Sequence, residues 1–112
     1  MTNGTEGFFK VCRESDLKEK AGRRFIVNDV DIALFKVEGN IYALNNMCIH
    51  QKAAIIYDGF IEENLITCPA HGWQFDLKTG KVPGGVKGLD VYEVKIIDGN
   101  VYVKVYPKKI GW

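Results

Sequence analysis

Cys48-Ile49-His50 and, after seventeen further residues, Cys68-Pro69-Ala70-His71-Gly72-Trp73-Gln74-Phe75-Asp76 hold both histidines of the chain and two of its three cysteines. Each half offers one thiolate and one imidazole, two residues apart in the first and three apart in the second. Spacings this short let a single loop turn both side chains in one direction. Two such loops brought together make a four-donor site of two sulfurs and two nitrogens.

Structural zinc takes four Cys/His donors in a tetrahedron, but its half-sites usually pair Cys with Cys and His with His. Each half here is mixed, which argues against a finger or a ribbon and leaves a structural zinc-binding domain as an alternative. A disulfide between Cys48 and Cys68 leaves the histidine spacing unexplained. A purely packing role for all four needs four coincidences of type and spacing. A [2Fe-2S] cluster with one iron held by two cysteines and the other by two histidines needs this donor set.

The rest of the chain sets bounds on what such a site can serve. At 112 residues there is one domain, 1–112, with no room for a second core. A net charge of +1 gives no basis for a nucleic-acid partner. No apolar run approaches the roughly 20 residues of a membrane span. Residues 1–7 are polar, without a hydrophobic signal core, so a cytoplasmic protein is the default; a monomer is expected. Three cysteines fit metal ligation better than a disulfide framework.

Working outward from the donor stretches, short β-favouring runs dominate. Residues 8–12 read as a first strand, ended by the turn chemistry of Glu14-Ser15-Asp16-Leu17; Cys12 reads as a packed strand cysteine. Ala21-Gly22-Arg23 is expected to turn the chain into a strand over 24–28. Residues 32–37 and 41–44 form a hairpin around Glu38-Gly39-Asn40, which delivers the chain through Asn45-Asn46-Met47 to the first donors. Residues 53–57 are an apolar run closed by Asp58-Gly59, and Glu62-Glu63-Asn64 is a turn before Leu65-Ile66-Thr67. Residues 73–76 leave the second donor stretch as a strand, and 76–80 turn. The segment 81–88, with Pro83 and three glycines, can form little regular structure. Residues 89–97 and 100–106 are strands joined by Asp98-Gly99, with Val101, Val103 and Val105 alternating with polar or aromatic neighbours. No stretch keeps a 3.6-residue period, so the fold class is all-β, an antiparallel sandwich or barrel.

The pattern Cys-x-His followed by Cys-Pro-x-His-Gly-x-x-Phe-Asp resembles the Rieske signature well beyond its four ligands, and the chain resembles the small soluble Rieske ferredoxins from end to end. That resemblance implies a base of antiparallel sheets with a cluster-binding subdomain at about 45–76 and a proline-bearing covering loop at about 81–88. It implies one [2Fe-2S] cluster per chain, with Cys48 and Cys68 on a buried iron and His50 and His71 on an outer one. Gly72 would let backbone approach the cluster or is an ordinary turn glycine; Trp73 and Phe75 shield the cluster or pack the core; Pro83 belongs to the cover. The chain departs from many relatives in carrying Gln51-Lys52 after His50 where a glycine is common. Lys52 is a candidate for the docking surface or a solvated loop lysine. Gln51, with Ala-His-x-Trp in the second loop, is similar to ferredoxins of multicomponent aromatic monooxygenases.

In the high-potential respiratory relatives, a serine and a tyrosine hydroxyl donate hydrogen bonds at the cluster, and a disulfide ties its loops. The matching positions here are Trp73 and Phe75, and Ala53 and Ala70. The resemblance therefore implies a low-potential electron carrier, working between a flavin-containing reductase and a terminal oxygenase, and not an enzyme. An oxygenase needs a second iron held by two histidines and a carboxylate, and the cluster already uses both histidines of the chain. The alternative within the fold is the small subunit of an assimilatory nitrite reductase, against which the retention of all four ligands speaks.

Overall fold

The computed structural model describes residues 7–47, 54–69, 72–85 and 88–105. Two-residue turns with positive φ at both central positions organise it: Asn28-Asp29 (φ 51° and 64°), Glu38-Gly39 (51° and 82°) and Asp98-Gly99 (52° and 76°). Such turns match the right-handed twist of the strands they join. They connect β2 (Gly22–Val27) to β3 (Val30–Val37), β3 to β4 (Asn40–Asn45), and β8 (Val91–Ile97) to β9 (Asn100–Lys104). With β1 (Phe8–Arg13) they form one antiparallel sheet in the order β1-β9-β8-β4-β3-β2. Its edge strands β1 and β2 touch, so the sheet curls into a nearly closed barrel. β5 (Phe60–Glu62), β6 (Leu65–Thr67) and β7 (Gln74–Asp76) form a second, three-stranded antiparallel sheet. The all-β expectation holds. Among the described residues the only helical turns are 3-10, at Glu14–Asp16 and Ile56–Asp58.

Hydrophobic patterning explains how the two sheets meet. In β9 the residues Val101 and Val103 are buried while Tyr102 and Lys104 are not, the period-2 pattern of a strand with one face in the core. β3 instead is buried almost throughout, because it is a wall between two cores. Ile32 and Leu34 join Leu17, Ala43, Tyr92, Val101 and Val103 inside the barrel. Ala33, Phe35 and Val37 face the other way, onto Ile56, Ile66, Cys68, Phe75 and Leu77. The second core glues the small sheet to the barrel and contains one of the expected ligands.

Some boundaries differ from the sequence reading, for physical reasons. Gly22 and Arg23 are not a turn but the start of β2; a Cβ at Gly22 would lie 2.1 Å from the Tyr57 carbonyl oxygen and 2.6 Å from the Phe35 ring. Glycine is there for close approach. Asn40 already pairs with Val37. Glu62 pairs with Leu65, so 60–62 is a strand, too short to leave a pattern of its own. Ile56, in the apolar run, enters a 3-10 turn. The strand expected from residue 89 begins at Val91, and β9 ends at Lys104. The segment at 81–88 is tied at its base by a Lys81–Gly88 bridge and by Leu89 N donating to Gly80 O at 2.6 Å. Within it Gly85 N donates to Val82 O at 2.8 Å across Pro83 and Gly84 (φ 77°), a type II turn with proline and glycine in their preferred places.

Candidate metal centre

β6 and β7 position the second donor stretch. Beyond their Thr67–Gln74 pair, Cys68 N donates to Trp73 O at 2.7 Å, and Gly72 N donates back to Cys68 O at 3.0 Å. These bonds carry the β6–β7 pairing on to Cys68 and Trp73, and Gly72, at φ 76°, holds a left-handed conformation. That conformation alone asks for glycine. Cys68 is 1% exposed, set in the core between the sheets. Phe75, paired with Ile66, is fully buried in the same core. Trp73 lies two residues back on the same face, its ring 6.5 Å from that of Phe75 and tilted by 31°, with 36% of the residue exposed. Of the two aromatic residues, Phe75 is core and Trp73 borders solvent. Pro83 is exposed at the tip of its turn, while its neighbour Val82 packs on the core that holds Cys68.

The first donor stretch is defined at its base. β4 ends in Asn45, whose Nδ2 donates to the Tyr92 hydroxyl at 3.1 Å and whose Oδ1 accepts from Met47 N at 2.9 Å. Asn46 is fully buried and bonds to Asp31 and Tyr57. Met47, 43% exposed, bridges to Ala54. Cys48, His50, Lys52 and His71 lie outside the described residues, as do Ala53 and Ala70. Sequence reasoning passed over Asn46; its only signal was a pair of asparagines between a strand and the first donor.

The residues present suit an iron–sulfur group. A soft thiolate sheltered among Ile56, Ile66 and Phe75 gives one side of the site a low-dielectric wall. Cys12, by contrast, sits in β1 at a bulge, opposite Val101, and packs on the barrel core. Burial raises its thiol pKa, with the Asp16 carboxylate adding to the rise and Arg23 offsetting part of it. A raised pKa means less thiolate at neutral pH than an ordinary cysteine has, so its reactivity there is lower and rises as pH climbs. Cys12→Ser is expected to keep full iron and sulfide content, and wild-type Cys12 to alkylate with iodoacetamide several times more slowly at pH 7 than free cysteine. Mass spectrometry of timed samples checks it.

The family model for the Rieske [2Fe-2S] domain matches residues 7–102. The ferredoxin component of naphthalene 1,2-dioxygenase/salicylate 5-hydroxylase systems from Ralstonia sp. is 44% identical over 81 residues, covering 70% of this chain and 77% of that protein. Among solved structures, a chain in the complex of reduced oxygenase and oxidized ferredoxin of carbazole 1,9a-dioxygenase superposes with a TM-score of 0.75 at 32% identity, over 87% of this chain and 92% of that one. A protein assigned as the small subunit of an NADH-dependent nitrite reductase from Mycobacterium tuberculosis superposes with a TM-score of 0.83 at 19% identity, over 90% and 96% of the two chains, a likeness of fold alone. Paired Cys/His donors, a thiol buried between two antiparallel sheets and this similarity along most of the chain lead to one conclusion: the protein belongs to the Rieske [2Fe-2S] family.

Proposed function

We propose that the chain is the ferredoxin of a multicomponent oxygenase system, a one-electron carrier between a flavin-containing reductase and a terminal oxygenase. The observation that carries this reading is the four-donor pattern on a chain matched over residues 7–102 by the Rieske domain, with both of its histidines among the four donors. The cluster, when bound, supplies a one-electron redox couple. Cys48 and Cys68 hold one iron as thiolates, and His50 and His71 hold the other as neutral imidazoles. Two imidazoles in place of two thiolates remove two negative charges, which favours reduction relative to an all-cysteine site. The subdomain at about 45–76 presents these residues and the loop at about 81–88 covers them. The sequence identity favours ferredoxin components over the nitrite reductase subunit, whose likeness is one of fold.

Partners meet the face that carries His50, His71 and Pro83. Met47 and Trp73, close in sequence to the donors, are partly exposed apolar residues of the kind that interface centres bury. With a net charge of +1, long-range steering is small. Raising salt from about 0.05 to 0.5 M is expected to slow reduction by the reductase no more than about threefold. Stopped-flow reduction at the two salt concentrations tests it. A tenfold or greater drop would mean that a local charge patch, Lys52 included, governs docking. An anaerobically purified sample that holds zinc and no labile sulfide would overturn the function itself.

A further inference from the structure

We infer that Asn46 is a positioning residue for the cluster, closing the base of the segment that carries Cys48 and His50. The inference rests on the reading of those two residues as ligands. Among the described residues Asn46 is the only buried side chain that is polar and not aromatic. A buried amide is costly unless every group it carries is bonded, and here both ends are. Its Nδ2 donates to Asp31 Oδ1 at 2.9 Å, and its Oδ1 accepts from Tyr57 N at 2.7 Å. Its backbone adds two more bonds: N donates to Asp31 O at 2.9 Å, and O accepts from Ile56 N at 3.2 Å.

The partners lie on opposite sides of the donor segment. Asp31 is the second residue of β3, in the wall between the two cores; Ile56 and Tyr57 are where the chain returns after residues 47–55. Asn46 therefore fastens the departing chain to the returning chain, and both to the main sheet. Beyond it, the Met47–Ala54 bridge is the next rung. Asp31 is itself held: Arg24 Nε and a terminal guanidinium nitrogen bond its carboxylate at 3.0 and 2.7 Å. On the other side, the Tyr57 carbonyl rests against Gly22, where no side chain fits.

The residue type follows from these partners. One side chain must donate a hydrogen bond to a carboxylate and accept one from a peptide N–H. Aspartate cannot do the first when ionised, and leucine, of similar size, can do neither. Asparagine does both at once. With Asn46 and Tyr57 fastened to each other, the segment between them, which carries Cys48 and His50, has fewer arrangements open to it. Without the fastening Cys48 and His50 must be gathered from a wider set of loop conformations each time the site forms.

The test compares holoprotein of wild type, Asn46→Ala and Val101→Ala. Val101 is fully buried inside the barrel, so its truncation loosens the fold away from the donor segment. Each is incubated with chelator at the same interval below its own melting temperature. Loss of visible absorbance and labile sulfide is followed, and the reduced proteins are compared by EPR. Asn46→Ala is expected to lose the cluster about tenfold faster than Val101→Ala, the effect of leaving one buried polar group unpaired, and to show broadened EPR lines that Val101→Ala does not. Equal loss rates and equal linewidths would make Asn46 merely structural and overturn the inference. Should Asn46→Ala fail to fold, Asp31→Ala, which frees Nδ2 but keeps the bond to Tyr57 N, enters the same comparison. It is expected to exceed Val101→Ala in loss rate; parity overturns the inference. A wild-type protein without iron and sulfide would overturn the ligand reading and this inference together, whereas a normal wild type with an indifferent Asn46 variant overturns the inference alone.

Discussion

Cys68→Ser is expected to leave the protein without its iron and labile sulfide, and Cys48→Ser to do the same. The chain has three cysteines, so a substitute ligand could come only from Cys12. That residue packs on the barrel core, whereas Cys68 is in the core on the other side of β3. It cannot stand in. A serine hydroxyl, harder and far less acidic than a thiol, holds iron–sulfur groups poorly. Ligand loss also reaches the fold, because a group bound only by the native state stabilises that state by mass action. At position 68 the new hydroxyl is buried as well, costing about 1–3 kcal/mol if it finds no partner. Cys68→Ser should therefore melt lower than the wild-type holoprotein by roughly 4–8 °C for each kcal/mol lost, the scale for a chain of about this size. Iron and sulfide analysis with a thermal melt decides the matter. Two irons per chain retained in either variant would mean that the ligand set is different.

Phe75→Tyr is expected to raise the reduction potential by some tens of millivolts. Reduction adds negative charge at the site, so a donor aimed at a ligand sulfur favours the reduced form. Phe75 donates nothing, and it is fully buried in the core that also holds Cys68. A hydroxyl added to its ring enters a space where an unpaired polar group costs about 1–3 kcal/mol, so it is driven towards an acceptor, and the rise follows where that acceptor is the Cys48 or Cys68 sulfur. A bond to a charged group contributes about 1.5–3 kcal/mol in one redox state, and only the difference between states moves the potential, with ~59 mV for a tenfold change. The wild-type value is expected near the low end of the Rieske range of about −150 to +300 mV, since Trp73, bordering solvent, replaces the other donor. Film voltammetry and thermal melts on both proteins are read together. A rise in potential with little loss of stability means the hydroxyl has reached a sulfur. A lower melting temperature with an unchanged potential means it is stranded, and a wild-type value well above zero means that other donors tune the site.

The donor chemistry was legible in the sequence because ligands must be of particular types at loop-compatible spacings, and a mixed Cys/His pair repeated once suits few sites besides a two-iron cluster. The hairpins were legible too. Asp98-Gly99 and Glu38-Gly39 supply the positive φ that their turns need, and Val101 and Val103 alternate with their neighbours because one face of β9 is buried, with Val105 just past its end buried as well. Chain-local information runs out where burial comes from both sides. β3 shows no alternation, since only the assembled molecule puts a barrel on one face and the small sheet on the other. Gly22 looked like a turn because a glycine needed for close approach and one needed for conformation are the same letter. Asn46 was unreadable for the same kind of reason: its partners are Asp31, fifteen residues before it, and Tyr57, eleven after. The sequence alone determined which side chains have the chemistry proposed for holding iron; only the tertiary structure decided that Asn46 meets Asp31 and Tyr57, because a hydrogen-bonded clamp is a relation between distant segments that no spacing encodes.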